Sequence, residues 1–161
     1  MRLATYNIEW FDALFDDAGQ LVRDGGWSAR HGITRERQIE ALGIVFKAMD
    51  ADAVMIIEAP DSNSRRDTDR ALKIFAEAFD LRTREVLTGF VNDTQQEIAL
   101  LYDPSVLTVR HVPEESVDAP RFDRVFEIDL DVDATHDTVS FSKPPLEVEA
   151  VTASGTVLRL I

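Results

Sequence analysis

The chain has 161 residues, 45% of them hydrophobic, with 17 Lys+Arg against 30 Asp+Glu and a formal net charge of −13. That length suits one domain able to bury about two-thirds of its unfolded surface. The long-range negative field disfavours duplex DNA and anionic membranes as partners, and the absence of cysteine excludes disulfides, thiolate metal sites and cysteine nucleophiles. A phosphorylated substrate stays open to such a chain only where a bound cation supplies local positive charge. After Met1 and Arg2 the N-terminus turns strand-like, without the long apolar stretch of a signal peptide or membrane span. No membrane insertion and a cytoplasmic location are therefore expected.

Leu3 to Trp10 reads as the first strand. The next segment, FDALFDDAGQLVRDGGWSARHG, is too rich in Asp and Gly for a regular element, and loops of that length are usually functional or mobile. Thr34 is placed to cap a helix over about Arg35–Met49, where Ile39, Leu42, Phe46 and Met49 recur at helical spacing. Ala53 to Ile57 is a short continuous apolar run, as in a strand covered on both faces. Pro60-Asp61-Ser62-Asn63 is turn chemistry. A second amphipathic helix follows, with Ala71, Leu72, Phe75, Ala78 and Phe79 along one face.

Beyond Phe79 the chain reads as strands only: Thr83–Thr88, Glu97–Tyr102, Leu107–Val112, Val125–Val132, Thr138–Phe141, Leu146–Thr152 and Val157–Ile161. The clearest alternation sets Phe126, Ile128, Leu130 and Val132 against Glu127, Asp129, Asp131 and Asp133. The order β-α-β-α followed by many strands predicts an α+β fold of the sandwich type. Its mixed, largely antiparallel β-sheet carries two helices packed on one face. No repeat or linker divides the chain.

Two strand ends carry the candidate chemistry. Asn7 sits inside a strand-like run, where Asn is disfavoured; it reads either as a strand-end residue bonding nearby backbone or as a functional group. Glu58 closes the apolar run at a strand's carboxyl end, where α/β folds gather ligands and where a carboxylate suits Mg²⁺. A solvated or salt-bridged Glu is the other reading. Strand alternation puts Glu9 on the face of Asn7, as a supporting carboxylate or a surface charge.

The remaining clusters are weaker. The acidic series Glu127 to Asp133 fails the calcium-loop template, with Ala134 where Gly is required and Ser140 where the closing Glu belongs. A solvated strand face accounts for it. His31, His111 and His136 have no zinc spacing. No GxSxG elbow or phosphate-cradling glycine loop occurs. Arg65, Arg66 and Arg70 read as a solvated helix start.

ATYNIEWF, DADAVMIIEAPD and QEIALLYDPS, in that order and spacing, resemble the endonuclease/exonuclease/phosphatase superfamily. Lys143-Pro144-Pro145-Leu146 is similar to the entry of that family's next central strand. The resemblance implies half of a four-layer sandwich, with Asn7 and Glu58 at the catalytic positions. Glu58 would ligate Mg²⁺ (or Mn²⁺), and Asn7 would help to position the metal and the scissile phosphate. Water would then attack phosphorus, in a phosphorylated small molecule or a nucleic acid.

The family's Gly-Asp-x-Asn and Ser-Asp-His segments are absent from these residues. The implied reading is a single partial domain over 1–161, lacking its C-terminal half and incomplete as a catalyst. Its exposed apolar surface would be covered by self-association or by that missing half. A non-catalytic binding or assembly domain, and an unrelated α/β domain in which Asn7 and Glu58 are structural, are the competing readings.

Overall fold

The structure, a computed structural model, describes residues 1–91, 96–114, 124–129, 131–133, 135–141 and 143–161. β1 (Leu3–Asn7) pairs in parallel with β2 (Ala53–Ala59), Leu3 opposite Ala53 and Asn7 opposite Ile57. The crossover between them is α1 (Arg35–Met49). Thr34 caps it by accepting the Arg37 N–H, and Asp50 ends it at φ 42° while its own N–H donates to the Phe46 carbonyl.

α2 (Thr68–Ala78) is capped by Asp67, whose carboxylate accepts the Arg70 N–H at 2.8 Å. β3 (Glu85–Thr88) and β4 (Glu97–Tyr102) complete a sheet ordered β1-β2-β4-β3, in which β4 runs antiparallel to both neighbours.

Strand alternation gives this sheet two apolar faces. Ala4, Tyr6, Val54, Ile56, Ala99 and Leu101 face the two helices, whose buried residues include Ile39, Leu42, Phe46, Leu72 and Phe75. Phe75 is the hub: its ring meets Phe11, Phe46 and Phe79 at centroid distances of 5.2, 5.1 and 5.0 Å. Each such side chain contributes about 1.5–3 kcal/mol by leaving water.

A second sheet covers the opposite face. After β4 the chain reverses at Asp103, whose carboxylate accepts the Ser105 N–H and hydroxyl at 2.9 and 2.6 Å. β5 (Leu107–His111) then joins β8 (Val148–Thr152) and β9 (Val157–Leu160) in the order β5-β8-β9, antiparallel throughout. Leu107, Leu146, Val148 and Ala150 pack there with Ala53 and Leu100. Between β5 and β8, β6 (Phe126–Ile128) and β7 (Asp137–Val139) form a separate two-stranded ribbon.

The fold is α+β with mostly antiparallel strands: a helix layer, a four-stranded sheet and a three-stranded sheet. The expected single sheet is in fact three. Alternation predicts which residues share a face but leaves the partner strand open, and the turn at Asp103 folds the later strands over the first sheet instead of extending it.

Local limits also differ from the sequence expectations. β1 stops at Asn7, and the chain turns left-handed at Trp10 (φ 61°). The strand expected over Val125–Val132 keeps only Phe126–Ile128, and Val132 stands at φ 62°. Leu130 and Ala134 lie outside the described residues. Among the described residues no helix is long and apolar enough to cross a membrane.

Candidate functional site at the Asn7 and Glu58 strand ends

The parallel pairing of β1 and β2 carries Asn7 and Glu58 to adjacent strand ends. Asn7 is opposite Ile57, and the ladder runs one step further through Ile8 N–H to the Ile57 carbonyl at 3.0 Å. Ala4 and Tyr6 belong to the helix-side core, so Leu3, Thr5 and Asn7 face the other way, toward the second sheet. Glu58 sits at a β-bulge. Ile57 pairs with Ile98 and Ala59 with Glu97, while Glu58 pairs with neither and adopts φ 65°. Such a conformation costs a non-glycine residue about 1–2 kcal/mol, and bulges commonly re-aim a side chain at a strand end. The Gln96 side-chain amide donates to Glu58 Oε2 at 2.9 Å.

The topology brings further groups to this end. β4 runs away from it and β5 runs back, so β5 finishes at His111 on the same end as Asn7 and Glu58. His111 lies edge-on to Phe90 at 5.1 Å, with its Nε2 buried and without a hydrogen-bond partner among the described residues. The fit at Gly89 is tight: a Cβ there would lie 3.3 Å from His111 Nε2 and 3.2 Å from Leu146 Cδ1, so one of them would have to give way. The sequence left His31, His111 and His136 unassigned, and only the fold of β5 singles out His111.

On the helix side of the same end, Arg66 donates to Asp12 and Asp17 at 2.7 and 2.9 Å. Asn63 shapes the turn that presents it, its side-chain oxygen accepting the Arg65 and Arg66 N–H groups. Burial pushes the Asp12 carboxyl up despite Arg66, and the nearby Asp61 and Asp17 charges add to the rise. The bond from Arg66 holds Asp17 below its ordinary range. The solvated role expected for Arg66 is thus replaced by an ion-pair role. Of the two expectations for Glu9 the structure keeps the surface charge: it is exposed and 3.7 Å from Arg30, because β1 ends before alternation can reach it.

The segment after β1 is irregular, as its composition predicts, but it is fastened down. A 3₁₀ turn over Phe11–Leu14 buries Phe11 and Leu14, and Phe15 follows them into the core.

A cleft of about 740 Å³ opens between the two sheets, floored by Thr5, Met55, Ile57, Ile98 and Leu100. Phe141, Lys143, Leu146, Arg159 and Ile161 wall it. Its floor is the face on which Asn7 stands. β1 and β9 are the outer strands of their sheets on this side, and among the described residues neither outer edge is paired.

Asp129, Asp131 and Asp133 bring one carboxylate oxygen each within 4.8 Å of the others, an exposed group that could hold a metal ion. The expected strand face would have spread them along one side; the chain instead leaves the strand at Ile128 and gathers them. Internal bonds already serve part of the group: Asp133 Oδ1 accepts from the Thr135 N–H and hydroxyl, and Asp129 accepts the Asp133 N–H.

No protein-family model matches the chain, and neither a curated protein nor a solved structure does.

Proposed function

We propose that the strand ends carrying Asn7 and Glu58 form a divalent-cation site of the metal-dependent phosphoester hydrolase type. The observation that carries this reading is the left-handed bulge at Glu58. It holds a carboxylate out of the sheet ladder at a cost in stability, beside an exposed amide on the neighbouring strand. Strain of that kind collects at functional sites. The donor set fits Mg²⁺ or Mn²⁺, which take one or two carboxylates and keep several waters. Glu58 supplies Oε1, and Asn7 supplies a carbonyl oxygen for the cation or an N–H for a phosphate oxygen. The bound cation would offset charge developing on the phosphoryl group.

The net charge of −13 favours a cation over a bare anion, so the phosphate of a small phosphorylated molecule arrives through the metal. The same charge disfavours duplex DNA. These two residues bind and orient but do not deprotonate water, and slow turnover is the consequence. The test is Mg²⁺- or Mn²⁺-dependent hydrolysis of bis(p-nitrophenyl) phosphate by the parent and by Glu58→Gln. Cation-dependent release that disappears in the variant supports the reading; equal rates in both sink it.

The open cleft favours a second reading, a binding or assembly domain. Exposed Leu3, Val157 and Ile161 lie on or directly after β1 and β9, whose outer edges are unpaired among the described residues, and such edges invite another strand. A second copy or further chain seated there would cover them. Sedimentation velocity over a range of concentrations tests the self-association form, which a monomer at every concentration excludes.

A further inference from the structure

We propose that Gln96 is the positioning residue of this site: it engages Glu58 through Oε2 and leaves Oε1 directed outward as the ligand atom. The inference rests on the cation-site reading and extends it to the residue that directly precedes a third strand, β4.

The β-bulge creates the need. Ladder pairing passes from Ile57–Ile98 to Ala59–Glu97, so the backbone of Glu58 has no opposite residue to fix its direction. Its side chain has three rotatable bonds, and a ligand carboxylate that wanders loses affinity to rotamer entropy. Gln96 directly precedes Glu97 and so lies alongside the bulge. Its amide is the only hydrogen-bond donor to the Glu58 carboxylate among the described residues, at 2.9 Å.

The chemistry fixes which end of the amide faces Glu58. An ionised carboxylate only accepts, so the NH₂ group must point to it whatever the carbonyl does. A bond to one oxygen of a carboxylate orients its plane and leaves the other oxygen for the metal. Groups with this supporting role typically hold a factor of about 10–100 in metal affinity. The NH₂ end that faces Glu58 only donates, so that end orients Glu58 without competing with it for the cation.

The test is a Mn²⁺ titration followed by paramagnetic broadening of the Ile8 and Ala59 amide signals. That readout is local, and separates this site from cation bound at Asp129, Asp131 and Asp133. Gln96→Met keeps the length and removes the donor. It should raise the Mn²⁺ concentration for half-broadening about tenfold, and Glu58→Gln should abolish the broadening. A metal-free measurement stands beside it: the Gln96 side-chain NH₂ resonances should move in Glu58→Ala.

If Gln96→Met titrates within twofold of the parent while Glu58→Gln abolishes broadening, the site stands and the role of Gln96 is overturned. If Glu58→Gln titrates like the parent, the cation-site reading fails and the proposal with it. Gln96 resonances that ignore Glu58→Ala would overturn the proposal even where Gln96→Met proves unstable.

Discussion

Arg66 Nη1 donates to Asp12 Oδ1 at 2.7 Å, joining residues 54 positions apart. Through this bond, and a second to Asp17 at 2.9 Å, the long segment after β1 is tied to the turn that leads from β2 into α2. Only 21% of the Asp12 side chain is exposed, so removing its cationic partner leaves a largely buried carboxylate. Arg66→Met should therefore cost about 1–3 kcal/mol. Chemical denaturation measures the loss, and hydrogen exchange at Phe11–Leu14 should accelerate with it. An unchanged exchange rate there would show that the core contacts of Phe11 and Leu14 hold the segment without the ion pair.

At Gly43 two effects compete. Alanine in a helix interior is favoured over glycine by about 1 kcal/mol. A Cβ at Gly43, however, would stand 2.1 Å from Phe79 Cε1, and that ring is held against Phe75 and under Arg23. Overpacking of this kind costs about 1–3 kcal/mol, so the clash wins. Gly43→Ala is expected to lower the melting temperature; a rise would mean that the Phe79 ring moves aside freely.

Glu58→Gly tests the strain at the bulge. Glycine takes φ 65° without the penalty that a side chain incurs. Its greater unfolded-state freedom returns part of the gain. A net stabilisation of about 0.5–1 kcal/mol is expected in urea denaturation, together with loss of cation binding. A less stable variant would show that the Gln96 bond outweighs the backbone strain.

Arg82 links Asp50, Asp52 and Asp103 at the opposite end of the sheet. The Arg2 backbone N–H, seconded by Arg82 and opposed by burial, holds the Asp52 carboxyl below its ordinary range. Burial pushes Asp103 up, but the Ser105 donors and Arg82 together outweigh it, and the net shift is also downward. Carboxyls depressed in the folded state contribute stability that is fully present above their unfolded value of about 3.9 and is lost as pH falls through the folded values. Arg82→Met should lose about 1 kcal/mol at pH 7, solvent screening of a side chain 38% exposed keeping the figure small. The gap from the parent should close below about pH 4. A gap that stays constant through acid titration would remove Asp52 and Asp103 as its cause.

Much of the first half of the fold was legible because its signals are local. Thr34 caps α1 as its residue type predicts, and Ile39, Leu42 and Phe46 are buried at the spacing that suggested a helix. The apolar run before Glu58 is β2, with one face on the helices and the other on the second sheet. The second half was legible as strands but not as sheets, since alternation names a face and leaves the neighbour open. Val125–Val132 shows the limit: the pattern continues past Ile128 while the backbone leaves the strand.

Asn7 and Glu58 stood out in the sequence as polar ends on strand-like runs, and β1–β2 pairing brings those ends to one edge, with Asn7 opposite Ile57 and Glu58 one residue further on. Gln96 and His111 could not be found that way. Gln96 reaches Glu58 only because β4 lies antiparallel to β2 with a bulge between, and His111 returns to this end only because the chain reverses at Asp103.

What the residue order determined alone was the inventory: the limits of α1, the buried face of α2, most strand faces, an acidic surface and two polar residues at strand ends, all set by interactions spanning a few positions. Tertiary structure decided how the strands divide among sheets, that Arg66 pairs with Asp12, and that a cleft opens between the sheets along the face of β1 that carries Thr5. Those features join residues tens of positions apart, and the free energy that selects them comes from burying faces together. The local pattern states that such a face exists, and packing alone chooses what meets it.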